Sequence, residues 1–229
     1  MRVLVAIFRA VGPILALILL PAALAGGVAW PRGLVLAAAY CAILVPGAAA
    51  LFIWRPAHYA MRRESVFDKA RRQPLLDRGG APAYVLFLFA WLIALPFDVA
   101  RLHGLGETPA ALRGFGLAAV LAGLSISQLA VWQNAFATPA IQDQSDRGQT
   151  VVDHGIYGLI RHPLYAGNLV AFSGTALWMG SLAGLAAVAL MLIATLARIV
   201  IEERDLRQRL PQYADYARRV RGRLIPFVL

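Results

Sequence analysis

Gly155-Ile156-Tyr157-Gly158-Leu159-Ile160-Arg161-His162-Pro163-Leu164-Tyr165-Ala166-Gly167-Asn168 is where charged, aromatic, glycine and proline residues crowd together just before a long apolar run. Pro163 lacks an N–H and has a fixed φ, which suits the first position of a helix. His162, preceding a proline, is pushed toward extended backbone. The stretch predicts a helix over 163–180 whose first turn carries free N–H groups and the positive end of the helix dipole. Such an end attracts a carboxylate or phosphate, and Arg161 and His162 stand beside it as further donors. A capped helix start with an interfacial Arg and Tyr explains the same residues, so the rest of the chain must decide.

Outward from this stretch the chain is strongly apolar. Of its 229 residues, 60% are hydrophobic and 15% charged, too apolar for an ordinary soluble domain. Several runs reach the roughly 20 apolar residues that cross a bilayer, and no short alternating strands suggest a barrel. The expected fold is all-α, a polytopic membrane helical bundle of about six spans: 10–30, 33–54, 82–100, 114–136, 163–180 and 183–201. Trp30-Pro31-Arg32-Gly33 is read as the turn between the first two. Met179-Gly180-Ser181 is read as the turn of a closing hairpin, where Gly180 and Gly184 also match a small-xxx-small pattern. Arg2, an apolar run and Ala23-Leu24-Ala25 resemble a secretory signal. Arg9 interrupts that run and it is long for a signal, so a retained first span is expected.

The basic residues set the orientation. Nineteen of the 22 Lys and Arg fall at the N-terminal end, in 55–81, in 137–162 and in the tail from 198. The other side keeps Arg32, Arg101 and Arg113. If the spans alternate, the positive-inside rule places both termini in the cytoplasm. The net charge of +10 is then explained by topology and anionic lipid, and nucleic acid is not an expected partner. The basic segment 55–81, with Trp54, His58, Tyr59 and Phe67 interleaved, reads as interfacial and amphipathic. Asp98 is an acid within a span, read as structural because, near the interface, it can snorkel or pair with Arg101. Cys41 is the only cysteine, so neither an intrachain disulfide nor a cysteine-based metal site is possible. His58, His103, His154 and His162 lie in separate segments without metal-ligand spacing, and no metal is expected.

Three polar groups fall on the expected cytoplasmic face: Gln142 to Val152, the opening stretch, and Arg198-Ile199-Val200-Ile201-Glu202-Glu203. Acids at a helix C-terminus oppose its dipole, so an Arg and two acids there suggest a charged ligand. A helix start and His162 suit an anion, and Glu202 suits a cation. A free amino-acid head carries both charges, and S-adenosylmethionine has such a head, though other zwitterions satisfy the same logic.

The ordered set Gln142, Val151-Val152, Gly155-x-Tyr157, Arg161-His162-Pro163-x-Tyr165-x-Gly167, Arg198-x-x-x-Glu202-Glu203 and Tyr213-x-x-Tyr216-x-x-x-Val220-x-x-Arg223-Leu224-Ile225-Pro226 resembles the isoprenylcysteine carboxyl methyltransferase family. Membrane phospholipid N-methyltransferases have a similar core. The resemblance covers residues 140–229 and divides the chain into N-terminal spans (1–136, with the loop 55–81) and a methyltransferase-like core (137–229). It implies a cytoplasmic S-adenosylmethionine site built by the last two spans and the tail. Carried over, Gln142, Val151, Val152, Tyr157, His162, Pro163, Leu164, Tyr165 and Glu202 would line the cofactor, and Arg198 would face the methyl acceptor as the catalytic residue. Tyr213, Tyr216 and Arg223 would lie in a tail folded over the site. Gln149 stands where relatives with a carboxyl acceptor often have His, and nothing in the N-terminal half identifies the acceptor.

The expected function is therefore an integral membrane methyltransferase acting on an amphiphilic or lipid-like carboxylate, thiol or amine, in a bacterial inner membrane. Retention of Arg198 favours an anionic acceptor. Two rivals remain: a membrane reductase of lipid or sterol type using NADPH, and a non-enzymatic carrier. Glu202-Glu203 would repel a dinucleotide phosphate, and the chain shows no internal repeat of the kind carriers have.

Overall fold

A computed structural model of the protein describes residues 1–62, 77–137 and 144–228. Gln142 and most of the basic segment 55–81 lie outside the described residues. Helices dominate, in the order α1 (Arg2–Ala25), α2 (Ala29–Trp54), a short α3 (Pro56–Arg62), α4 (Asp77–Phe97), α5 (Ala110–Gln133), α6 (Pro163–Met179), α7 (Leu182–Arg209) and a short α8 (Tyr213–Arg219). Among the described residues the β pairing is an isolated bridge between Glu107 and Ser181. Five helices are long and apolar enough to cross a membrane: α1, α2, α4 with its continuation, α5 and α7. The protein is an all-α polytopic membrane bundle. The remaining expected span, α6, has 17 residues, at the short end of what crosses a bilayer.

Three expected boundaries are corrected. The first helix starts at Arg2, and its turn lies at Gly26 (φ 70°) and Gly27 (φ 53°), left-handed conformations that glycine adopts without steric cost. Trp30-Pro31-Arg32-Gly33 lies inside α2. Pro31 is tolerated there because first-turn N–H groups have no helical acceptor to lose. The last long helix runs on to Arg209, two turns beyond 201, and closes with Arg207 and Arg209. Glu202 and Glu203 are therefore not at a helix C-terminus, and the expected conflict with the dipole does not arise. The hairpin turn falls where expected, with Gly180 at φ 97° and Ser181 capping α7 by accepting from the Gly184 N–H.

The bundle is built on α5 and α6, which meet backbone to backbone. Gly116 and Gly123 on one helix face Gly174 and Gly167 on the other, and a Cβ at any of the four would overlap the partner's backbone or side chain. Each pair is seven residues apart, so the glycines line one face of each helix. Ser127 donates to Asn168 Oδ1 at 2.9 Å at the site end of this seam. Helix α2 joins through Tyr40 and Thr175, whose hydroxyls lie 3.2 Å apart. Gly184 lets α4 approach α7, and Trp91 donates to its carbonyl at 3.0 Å.

Asp98 opens a π-helical turn (Asp98–Leu102) at the far end of α4. It is buried and accepts from the Ser181 hydroxyl and the Gly104 N–H. Arg101, its expected partner, donates instead to the Leu24 carbonyl. The role of Asp98 is structural: it locks the α6–α7 hairpin to the end of α4.

Candidate functional site

At the membrane face shared by the end of α5, the start of α6 and the last turns of α7, a pocket of about 90 Å³ is bounded by all three and by α8. Its floor is set from α5. Gly155, at φ 59°, lies against the Gln133 side chain, and Gln133 Oε1 accepts from the Ile156 N–H at 2.9 Å. This pins the short turn Gly155–Gly158 and delivers Tyr157 to the pocket. Pro163 then occupies the first turn of α6, as its chemistry predicts.

Val151, Val152, Tyr157, His162, Pro163, Leu164, Tyr165 and Glu202 all line this pocket. Arg198 does not. It lies one helical turn from Glu202, over the Tyr84 ring at 5.7 Å, and lines an adjoining apolar groove of about 500 Å³ between α4 and α7. Tyr165 bridges the two spaces. Its hydroxyl donates to Glu202 Oε2 at 2.9 Å, and Arg198 is a second hydrogen-bond partner of the same side chain.

The two adjacent acids separate in role. Glu202 is half-buried at the pocket wall. Glu203 is buried and gathers basic side chains: Arg161 Nε donates to it at 2.7 Å, His162 Nε2 lies 3.2 Å away, and Arg223 donates at 3.3 Å. Arg161 also donates to the Val220 carbonyl at 2.6 Å and to that of Arg221 at 2.8 Å. The backbone joins in, with the Arg161 and His162 N–H groups donating to Gly222 and Arg223 carbonyls, each at 2.9 Å. The tail is thus strapped across the start of α6, and Tyr216 donates to the Tyr157 carbonyl at 2.8 Å. Arg161, expected as a donor for a ligand, is committed to this strap, and His162 presents a ring nitrogen to Glu203. Burial of both ions is offset by dense hydrogen bonding around them.

Tyr213 has no part in the strap. It is buried, lines the pocket, and its hydroxyl has no hydrogen-bond partner among the described residues. Burial, reinforced by Glu203 and Glu202, pushes its pKa up, so the hydroxyl stays a donor. Burial likewise raises Tyr216. At the rim, a hydrogen bond from Arg219 holds the exposed Asp153 carboxyl below its ordinary range. Gln149, also at the pocket, accepts from Arg209 at 3.1 Å, so its side chain is tied to the end of α7.

Gln133, Leu206, Leu210 and the lone Tyr213 hydroxyl were not anticipated from the sequence. Glu202 and Leu206 lie four residues apart on one face of α7, and Leu210, four further on, follows directly on the end of the helix. That signal is readable once the helix is known to extend beyond 201.

Comparison with known proteins is informative over the part of the chain that builds the pocket. Over 74 residues the sequence is 38% identical to the cobalt-zinc-cadmium resistance protein CzcN of Cupriavidus metallidurans. That match takes in 32% of this chain, which spans about a third (34%) of the relative's length. Residues 112–212 match the family model described as phospholipid methyltransferase. The match runs from α5 through α6 and α7 to the edge of α8. The resemblance drawn from the ordered motifs is borne out as a similarity: residues 112–212, which supply most of the pocket lining, are similar to the phospholipid methyltransferase family, in a chain built as a membrane helical bundle.

Proposed function

We propose that the protein is an S-adenosylmethionine-dependent methyltransferase acting on an amphiphilic acceptor. The observation that carries this reading is the meeting of opposite charge preferences in one slot. The first-turn N–H groups of Leu164 and Tyr165 have no helical acceptor and suit a carboxylate, while Glu202 suits an ammonium. The residues fit a cofactor with an amino-acid head in two further ways. Val151, Val152, Leu206 and Leu210 offer an apolar surface for a flat base. The buried, unpaired Tyr213 hydroxyl is the kind of group a polar ligand satisfies.

When bound, S-adenosylmethionine supplies an electrophilic methyl group on a sulfonium. The chain's part is alignment and exclusion of water. Tyr165 holds Glu202 in place through its hydroxyl. Arg198, at the head of the apolar groove, orients an anionic acceptor through its planar guanidinium. The strap joining Arg161, Glu203 and 220–223 closes the pocket over the reactants. The reductase reading is weakened because Arg161, the cation nearest a dinucleotide phosphate, is already bound to Glu203 and the tail. Both termini face the cytoplasm in this proposal, in a bacterial inner membrane.

Calorimetric titration of detergent-purified protein with S-adenosylmethionine tests this. Micromolar-range binding that Glu202→Ala abolishes is the expected result. No binding by folded wild type overturns the cofactor assignment and returns the reductase to first place, with NADPH as the next titrant.

A further inference from the structure

On the other side of α5 from the pocket, α1, α2, α3 and the end of α5 line a separate, open cavity of about 350 Å³, at which Arg9 and Ala10 are exposed. Most of its wall is apolar, including Ala10, Ile14 and Ala48, but three polar side chains reach it: Arg9, Tyr59 and Gln128. Arg9 lies within a membrane-spanning helix, two turns from its start, and makes no ion pair among the described residues. A cation so placed inside a span calls for a counter-charge. Tyr59 lies at one side of the cavity, its hydroxyl donating to the Ala6 carbonyl at 3.4 Å. Gln128 adds an amide, its side chain lying against Gly47, where a Cβ would overlap it. Pro13 lacks the N–H that would pair with the Arg9 carbonyl, so the backbone at this level keeps a spare acceptor.

We infer that this cavity binds one anionic phospholipid, its phosphate on Arg9, a headgroup hydroxyl or carbonyl on Gln128, and an acyl chain along Ala10, Ile14 and Ala48. The charge complementarity is direct. Basic pockets between spans hold acidic lipid headgroups in this way, and the apolar remainder of the wall accepts a chain and not a free anion. The site lies apart from the pocket at α6 and does not depend on the methyltransferase reading.

The test is binding of phosphatidylglycerol to the full chain in detergent, read by native mass spectrometry and by thermal unfolding. Phosphatidylcholine and inorganic phosphate serve as the other ligands. Phosphatidylglycerol alone is expected to bind at one-to-one ratio and raise the unfolding temperature. Arg9→Gln should weaken it about fivefold, the effect of one cation at a membrane surface. Ala10→Phe, at an exposed and therefore tolerant position, should block the chain and abolish binding. Arg2→Gln, off the cavity, should change nothing. Equal losses in Arg9→Gln and Arg2→Gln would reduce the effect to general attraction of acidic lipid and overturn the site. So would equal binding of phosphatidylcholine, or stabilisation by inorganic phosphate alone.

Discussion

Glu202 and Glu203 are neighbours in sequence, and the structure gives them opposite jobs. Replacing each by Gln separates them. Glu203 has a side chain 4% exposed against an Arg161 side chain 6% exposed, at 2.7 Å. Removing one partner of a buried ion pair costs about 3–5 kcal/mol. Arg161 keeps its bonds to the Val220 and Arg221 carbonyls, so the lower end applies, about 3 kcal/mol. For a chain of this size that is a fall in unfolding temperature of roughly 6–12 °C. The strap should loosen with it, exposing the tail to protease. Glu202→Gln keeps an oxygen to accept from Tyr165 and should cost under about 1 kcal/mol, yet it removes the charge proposed to face a cofactor ammonium. Thermal unfolding, limited proteolysis and S-adenosylmethionine titration on both variants check this. If Glu203→Gln melts within about 2 °C of wild type, or Glu202→Gln is the less stable of the two, the buried-hub argument is wrong.

Tyr213→Phe should weaken S-adenosylmethionine roughly two- to tenfold, one hydrogen bond, and leave the unfolding temperature unchanged, since the hydroxyl has no partner to lose among the described residues. Arg198→Ala should still bind cofactor in calorimetry while methyl transfer to an anionic amphiphile is lost; unchanged turnover would end its proposed role. Gly123→Leu should cost at least about 3 kcal/mol and broaden the size-exclusion peak, because α6 backbone lies where its Cβ would go. Gly114→Ala, with open space around it, should gain up to about 1 kcal/mol. Asp98→Asn should lower stability by about 1–3 kcal/mol with no change in cofactor affinity.

The apolar runs, the start of α6 at Pro163 and the turn at Gly180 were legible because each rests on local chemistry: chain length in hydrocarbon, a missing N–H, a positive φ. Eight of the expected cofactor residues line one pocket because the motifs around 151–165 and 202 are short and sit on rigid elements. What escaped was non-local. That Arg161 serves the tail and not a ligand depends on carbonyls about 60 positions away, which no spacing reveals. The seam of Gly116, Gly123, Gly167 and Gly174 shows a seven-residue spacing within each helix, but only the pairing of α5 with α6 gives it meaning. The boundary near Ile201 was set by polarity. The helix ignored it because Glu202 and Leu206 share a pocket-lining face, and the helix continues to Arg209.

The shortness of α6 has a consequence for the lipid around it. Seventeen residues rise about 25 Å, some 5 Å less than the hydrocarbon slab, while α7 beside it is 28 residues long. Such a mismatch is met by thinning of the adjacent leaflet or by sinking of the helix end below the headgroups. If it is the Pro163 end that sinks, the mouth there opens at the depth of the upper acyl carbons, on the side of the bundle where the apolar groove runs to Arg198. A single-chain amphiphile could then present its head to the pocket by sliding sideways in its own leaflet, without first crossing into water.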